Sequence, residues 1–155
     1  MRVGIGYDAH RLVKGRPLVV GGVTIDHPLG LDGHSDADVL VHAIIDALLG
    51  AAALGTIGEH FPDDDPSYEG ISSLELLSMT AALVEDHGRT IVNVDSVVIA
   101  ERPRLQPHLG RMAQTIAETL GLDRDLVGVK ATSPEGLGAL GRQEGIAAQA
   151  VVLLE

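Results

Sequence analysis

The sequence predicts an α/β or α+β fold: a single domain in which a mixed β-sheet packs against helices on one face. Three observations predict it. Strand-like and helix-like segments interleave along the chain with no break in composition. The chain has 155 residues, a length that suits one domain. Hydrophobic residues make up 45% of it, enough for a real core. That core must be aliphatic, because the chain has one Phe, two Tyr and no Trp. There is no internal repeat and no low-complexity linker.

The elements follow in order. Val3 to His10 reads as a strand that ends in polar residues. Leu18 to Ile25 reads as a hairpin turning at Gly21-Gly22. Pro28 to Asp36, rich in Gly, Pro and Asp, is expected to be loop. Ala37 to Leu54 has a helical pattern, with Ser35 or Asp36 as N-cap and Gly55 as the stop. Thr56 to Gly70 holds two prolines and an acidic run, and is expected to be a long loop. Ser72 or Ser73 caps a second helix running to about Asp86, with Gly88 beyond it. Thr90 to Ala100 alternates as a strand. Pro107 to Leu120 is a third helix closed by Gly121. Val127 to Ala131 and Ile146 to Leu154 are strands joined by a Gly-rich connection.

Charge and cysteine content narrow the chemistry. A net charge of −11 argues against a nucleic-acid-binding surface, which needs a basic footprint. A small anionic substrate stays possible if the site supplies its own positive charge. With no cysteine, any metal must be held by His, Asp and Glu. The N-terminus has no apolar run long enough for a signal peptide or membrane span, so a cytoplasmic location and no membrane partner are expected.

Four segments carry candidate chemistry. Asp38, His42 and Asp46 sit four apart in an otherwise aliphatic helix, forming one narrow stripe. A solvent-facing edge is the plain reading, yet the stripe lacks the Lys, Glu and Gln that usually dress one. Asp38 and Asp46 are expected to orient His42 or nearby loop groups. Asp8 and His10 stand two apart in a strand and share a face, with Gly4 and Gly6 leaving open space behind them. If His42 joins them, Asp8, His10 and His42 make a catalytic zinc set with one open position. Gly33-His34-Ser35-Asp36 precedes the helix, where free amides and the helix dipole favour a phosphate. Lys130-Ala131-Thr132-Ser133-Pro134-Glu135 brings a lysine, hydroxyls and a carboxylate into a turn suited to phosphates and magnesium.

Taken together, these segments resemble the 2-C-methyl-D-erythritol 2,4-cyclodiphosphate synthase family. The match runs through Asp8-Ala9-His10, Gly33-His34-Ser35-Asp36-Ala37-Asp38, His42, 46–55, Phe61-Pro62-Asp63 and Asn93-Val94-Asp95. It continues through Val129-Lys130-Ala131-Thr132, Glu135, Gly141-Arg142 and Glu144-Gly145-Ile146-Ala147, and so covers essentially the whole chain.

The resemblance implies an enzyme of the non-mevalonate isoprenoid pathway. In 4-diphosphocytidyl-2-C-methyl-D-erythritol 2-phosphate, the 2-phosphate attacks the β-phosphorus, CMP leaves and a cyclic diphosphate forms. It implies a homotrimer with active sites between subunits. By position it makes Asp8, His10 and His42 the zinc ligands, and Glu135 the ligand of a second ion, magnesium or manganese. His34 and Ser133 fall where the transition state is stabilised. Thr56, Ile57 and Gly58 with Phe61, Pro62, Asp63, Asp64 and Asp65 match the stretches that hold ribose and erythritol. Ala100 to Gln106 (Ala100, Arg102, Pro103, Arg104, Leu105 and Gln106 among them), with Thr132, match the cytosine-reading stretch, and Ser35 and Pro134 are expected to bind substrate. Ala139 and Arg142 match positions near the trimer axis.

The sequence departs from the family pattern at a few of these positions. Thr56 stands where an aspartate is usual, Ser133 where threonine is, Ala139 where a bulky aromatic is and Tyr7 where phenylalanine is. Two rival functions use the same ligand set: a metal-dependent phosphohydrolase and a non-catalytic nucleotide-binding trimer.

Overall fold

The computed structural model describes all 155 residues. Five strands form one sheet in the order β4-β1-β7-β5-β6. They are β1 (Arg2–Lys14), β4 (Leu29–Leu31), β5 (Ile91–Ile99), β6 (Val127–Thr132) and β7 (Gly145–Leu154). Only β5 and β6 run parallel; the other neighbours are antiparallel, so the sheet is mixed as expected. The hairpin β2 (Leu18–Val20) and β3 (Val23–Ile25) stands apart as a two-stranded ribbon. Its turn is Gly21-Gly22, both at positive φ (59° and 72°), the conformation that a two-residue hairpin turn requires.

Three long helices cover one face: α1 (Val39–Ala52), α3 (Ser73–Asp86) and α4 (Leu109–Leu120). Helix α1 lies on β1 and β7 and is buried on almost its whole circumference. Glycine lets it come that close. A Cβ on Gly4 would run into the Ala47 carbonyl, and one on Gly6 into the Ala43 carbonyl. The space behind these glycines is therefore not open, as the sequence suggests, but filled by helix backbone. The 35-residue apolar cluster between sheet and helices holds Leu, Ile, Val, Ala and one Met. The opposite sheet face is bare, with Val3, Ile5, Tyr7 and Val151 exposed.

Several boundaries differ from the sequence reading, each for a local reason. Helix α1 starts at Val39 with Asp38 as cap, because Ala37 adopts a left-handed φ of 56° that no α-helical residue has. It ends before Gly55, because Ala53 takes the left-handed cap at φ 60°. The expected loop over 28–36 contains β4, which pairs with an extension of β1 through Leu12, Val13 and Lys14. Three residues are too few to show a period. The expected loop over 56–70 contains a short helix, α2 (Ile57–His60), and a 3-10 turn at Pro66–Tyr68. Ser72 caps α3, and Gly121 closes α4 as read. One more short helix, α5 (Gly138–Gly141), lies in the β6–β7 connection.

Candidate metal centre and substrate cleft

Asp8 and His10 stand on the helix-covered face of β1, and His42 descends from α1 above them. Their ligand atoms converge, all within 4.8 Å of one another. Asp8 Oδ2 lies 2.7 Å from His10 Nε2 and 3.2 Å from His42 Nδ1. His10 Nε2 and His42 Nδ1 are 3.2 Å apart. The second nitrogen of His10 lies 2.6 Å from the Asp32 carbonyl. A carbonyl only accepts, so His10 Nδ1 carries the proton and Nε2 presents its lone pair to the centre. Two imidazole nitrogens and a carboxylate oxygen form a donor set suited to a zinc-type cation.

The electrostatics of the set favour an ionised Asp8 and a proton on His10, which an incoming cation would displace. Burial works to raise the Asp8 pKa. Hydrogen bonds and charge from His10 and His42 outweigh it and hold the carboxyl well below its usual range. Burial likewise opposes protonation of His10, but the hydrogen bond and charge of Asp8, with the Asp32 carbonyl, raise its pKa.

Of the two roles expected for the acidic stripe members, they take the second: they hold nearby loop groups and not His42. Asp38 is fully buried and accepts from the amides of Gly21 (2.8 Å), Gly22 (2.6 Å) and Val41 (3.1 Å). It caps α1 and ties the hairpin turn to it. Its carboxylate supplies a negative charge at the start of α1. Asp46 accepts from the Ile57 amide at 2.8 Å, fixing the start of α2. Burial raises its pKa, with the Asp8 charge adding to that. His42 instead meets Ser73 Oγ (2.8 Å) and Ser35 Oγ (3.2 Å) through Nε2.

A cleft of about 350 Å³ opens over the triad. It gathers Asp8, His10, His34, Ser35, His42, Ile57, Gly58, Phe61 and Asp63 from the sequence-predicted set, and adds Gly33, Tyr68 and Leu76. His34 Nε2 donates to the Asp65 carbonyl at 2.9 Å, which joins the loop before α1 to the acidic run. Asp65 itself accepts from Ser67 N and Oγ, bonds that lower its pKa. Thr56 spends its hydroxyl on Glu59 at 3.2 Å. Thr56, Pro62, Asp64 and Asp65 border the cleft in sequence but do not line it.

A second cleft, about 320 Å³, gathers Ala100, Arg102, Pro103, Arg104, Leu105, Gln106, Thr132 and Ser133. Glu101, inside the 100–106 stretch expected to read cytosine, organises its edge by accepting from Ser133 Oγ and from the Gly136 amide, both at 3.1 Å. Pro134 and Glu135 continue the same turn, and the Glu135 amide donates to Ser133 Oγ at 3.0 Å. Glu135 is not among the carboxylates that reach the triad within one chain. Lys130 does not serve this turn. It pairs with Asp95 at 2.6 Å, among residues of the bare sheet face. Ala139 and Arg142 are exposed near α5, and Arg142 pairs with Glu144 at 3.1 Å.

Sequence reasoning also missed Arg16, whose guanidinium donates to the carbonyls of Gly33 (2.8 Å) and Ser35 (2.7 Å). It clamps the loop that presents His34. Only the proximity of an arginine to a Gly-rich segment hints at this in the sequence.

The match to the YgbB family model extends over residues 1–155. The chain belongs to the YgbB family. This YgbB chain is 60% identical over 155 residues to a 2-C-methyl-D-erythritol 2,4-cyclodiphosphate synthase of Syntrophomonas wolfei subsp. wolfei, covering 100% of this chain and 99% of that one. It superposes on the bifunctional IspDF from Campylobacter jejuni with TM-score 0.95 and 43% identity, covering 99% of this chain but 42% of that one. A solved 2C-methyl-D-erythritol-2,4-cyclodiphosphate synthase in a CDP-bound form matches with TM-score 0.91 and 40% identity, covering 99% and 100%.

Proposed function

We propose that this chain is a divalent-metal-dependent lyase. It converts 4-diphosphocytidyl-2-C-methyl-D-erythritol 2-phosphate to 2-C-methyl-D-erythritol 2,4-cyclodiphosphate and CMP, in the non-mevalonate isoprenoid pathway of the cytoplasm. One observation carries the reading most: Asp8, His10 and His42 converge at the floor of a cleft that also holds His34, in a chain similar along its whole length to named synthases.

An oxygen of the 2-phosphate forms a bond to the β-phosphorus, and the bond from that phosphorus to the bridging oxygen breaks. The bridging oxygen leaves on CMP with the electron pair. The nucleophile is already an anion, so no side-chain nucleophile is needed, and positioning and charge neutralisation dominate. Asp8, His10 and His42 would hold zinc, and Glu135 magnesium or manganese. When bound, these ions offset phosphate charge. His34, fixed through Nε2 by the Asp65 carbonyl, faces the cleft beside the phosphate positions. Ser133 lies in the second cleft, where its hydroxyl turns away from Glu101 to donate to a phosphate oxygen. The 56–65 segment holds the sugar portions, and the backbone of 100–106 reads the cytosine.

The triad and the Glu135 turn belong to separate clefts of one chain. That supports a homotrimer in which one subunit's first cleft meets another's second, each chain forming one domain over 1–155. The bare apolar sheet face suits such an assembly.

Metal-stripped protein, supplied with substrate and then with zinc and magnesium, tests the metal dependence. CMP release only after metal is returned is expected. Full release from the stripped protein contradicts it.

A further inference from the structure

The buried partners of His42 carry an inference that rests on the metal reading above. Ser73 is fully buried at the start of α3. Asp36 grips both of its polar groups. The Ser73 amide donates to Asp36 Oδ2 at 3.1 Å, and the Ser73 hydroxyl donates to Asp36 Oδ1. As a carboxylate, Asp36 only accepts. The hydroxyl proton of Ser73 is therefore committed to Asp36, and its oxygen is left to accept.

His42 Nε2 faces that oxygen at 2.8 Å. Nε2 must then carry the ring proton. The other ring nitrogen, Nδ1, is the one that faces Asp8 Oδ2 and His10 Nε2, each at 3.2 Å. We propose that Ser73 and Asp36 form a positioning relay that locks His42 in its Nε2–H tautomer and aims the Nδ1 lone pair at the cation. Ser35 Oγ is a second, longer acceptor for Nε2 at 3.2 Å, already accepting from the Ala37 amide at 3.1 Å. Asp36 is held in turn by its own amide on the Ile71 carbonyl (3.0 Å) and by the Asp38 amide on Oδ1 (3.2 Å).

The relay links two distant segments. His42 belongs to α1, and Ser73 lies 31 residues later on α3. Docking of α3 against α1 is thus what finishes the metal site. Ser73 contacts no proposed metal ion or substrate, so its effect must pass through His42.

The test is zinc affinity of the full chain, by competition with a chelating dye, for the parent, Ser73→Ala and Asp36→Asn. Alanine keeps the shape of the buried site and removes the hydroxyl that joins Asp36 to His42. Zinc affinity is expected to fall roughly 10- to 100-fold in Ser73→Ala, the usual effect of losing such a partner. Asp36→Asn is expected to weaken binding as well, because an amide frees the hydroxyl to turn. A Ser73→Ala protein that binds zinc as tightly as the parent overturns the relay. A parent that binds no zinc removes the metal reading itself, and the relay with it. Nitrogen NMR of the unmutated, metal-free protein at about pH 8, where imidazole is neutral, needs no variant. Protonated Nε2 on His42 is expected there, and protonated Nδ1 overturns the inference even if Ser73→Ala does not fold.

Discussion

Single side chains at this site act in pairs, so their removal has distinct signatures. His42→Ala deletes one of three donors, and both zinc binding and turnover are expected to vanish while the fold persists. Metal analysis and CMP release check this. Asp38 behaves differently, because its partners are structural. Removing it as Asp38→Ala leaves two turn amides and a helix start without an acceptor, and a loss of about 2 kcal/mol in denaturant unfolding is expected. Its pH dependence has a defined sign. Complete burial pushes the Asp38 pKa up to about 6, with the Asp36 charge adding to it and the amide bonds opposing. In the unfolded chain the same group titrates near ~3.9. The folded state therefore binds more protons between those values, and this group's contribution to stability declines as pH rises from about 4 to about 6. Relative to Asp38→Asn, the parent should lose stability across that window and run parallel above it. A gap that does not change with pH contradicts the assignment.

At the scale of elements, the site depends on how closely α1 lies on β1 and how firmly the His34 loop is held. Gly6→Ala would push a methyl group into the Ala43 carbonyl. Displacing the helix is expected to cost about 1–3 kcal/mol and to separate His42 from Asp8 and His10. Thermal unfolding and zinc titration of this variant report the two effects. Arg16→Met removes the clamp on the Gly33 and Ser35 carbonyls while keeping the aliphatic stem. A fall in kcat between about 10- and 100-fold, with zinc affinity preserved, is expected from misplacing His34. Equal kcat in the variant would show that the loop holds itself.

These elements also show what is legible in a sequence. The Asp38, His42, Asp46 stripe and the Asp8, His10 pair follow from the periods of helix and strand, which are local. So do the hairpin at Gly21-Gly22 and the close of α4 at Gly121. The partners of the stripe are not local. Asp38 reaches back 17 residues to Gly21, and His42 reaches 31 forward to Ser73, and no period encodes such pairs. The start of α1 is not local either: whether Ser35, Asp36 or Asp38 caps it depends on the left-handed turn at Ala37. The three-residue β4 exists only because β1 runs on to Lys14 and offers it an edge.

At the scale of the whole molecule, the proposed trimer makes two claims. Burial of the bare sheet face means that Ile5→Lys, at a position 70% exposed in the single chain, should leave the monomer folded but dissociate the assembly. Light scattering of the eluted protein reads the mass directly. Shared sites mean that two dead variants can rescue each other. His42→Ala and Glu135→Ala, co-expressed so that trimers form at random, should recover about a quarter of parental activity, because one interface in four pairs two intact halves. No recovery would place both groups in a site completed within one chain.

Phosphorus NMR of the reaction tests the central claim most directly, because it identifies the products rather than their rate. The proposed cyclisation gives CMP and a cyclic diphosphate in equal amounts, dependent on added zinc and magnesium. CMP accompanied only by linear phosphates would mean that water is the nucleophile, and would contradict the account.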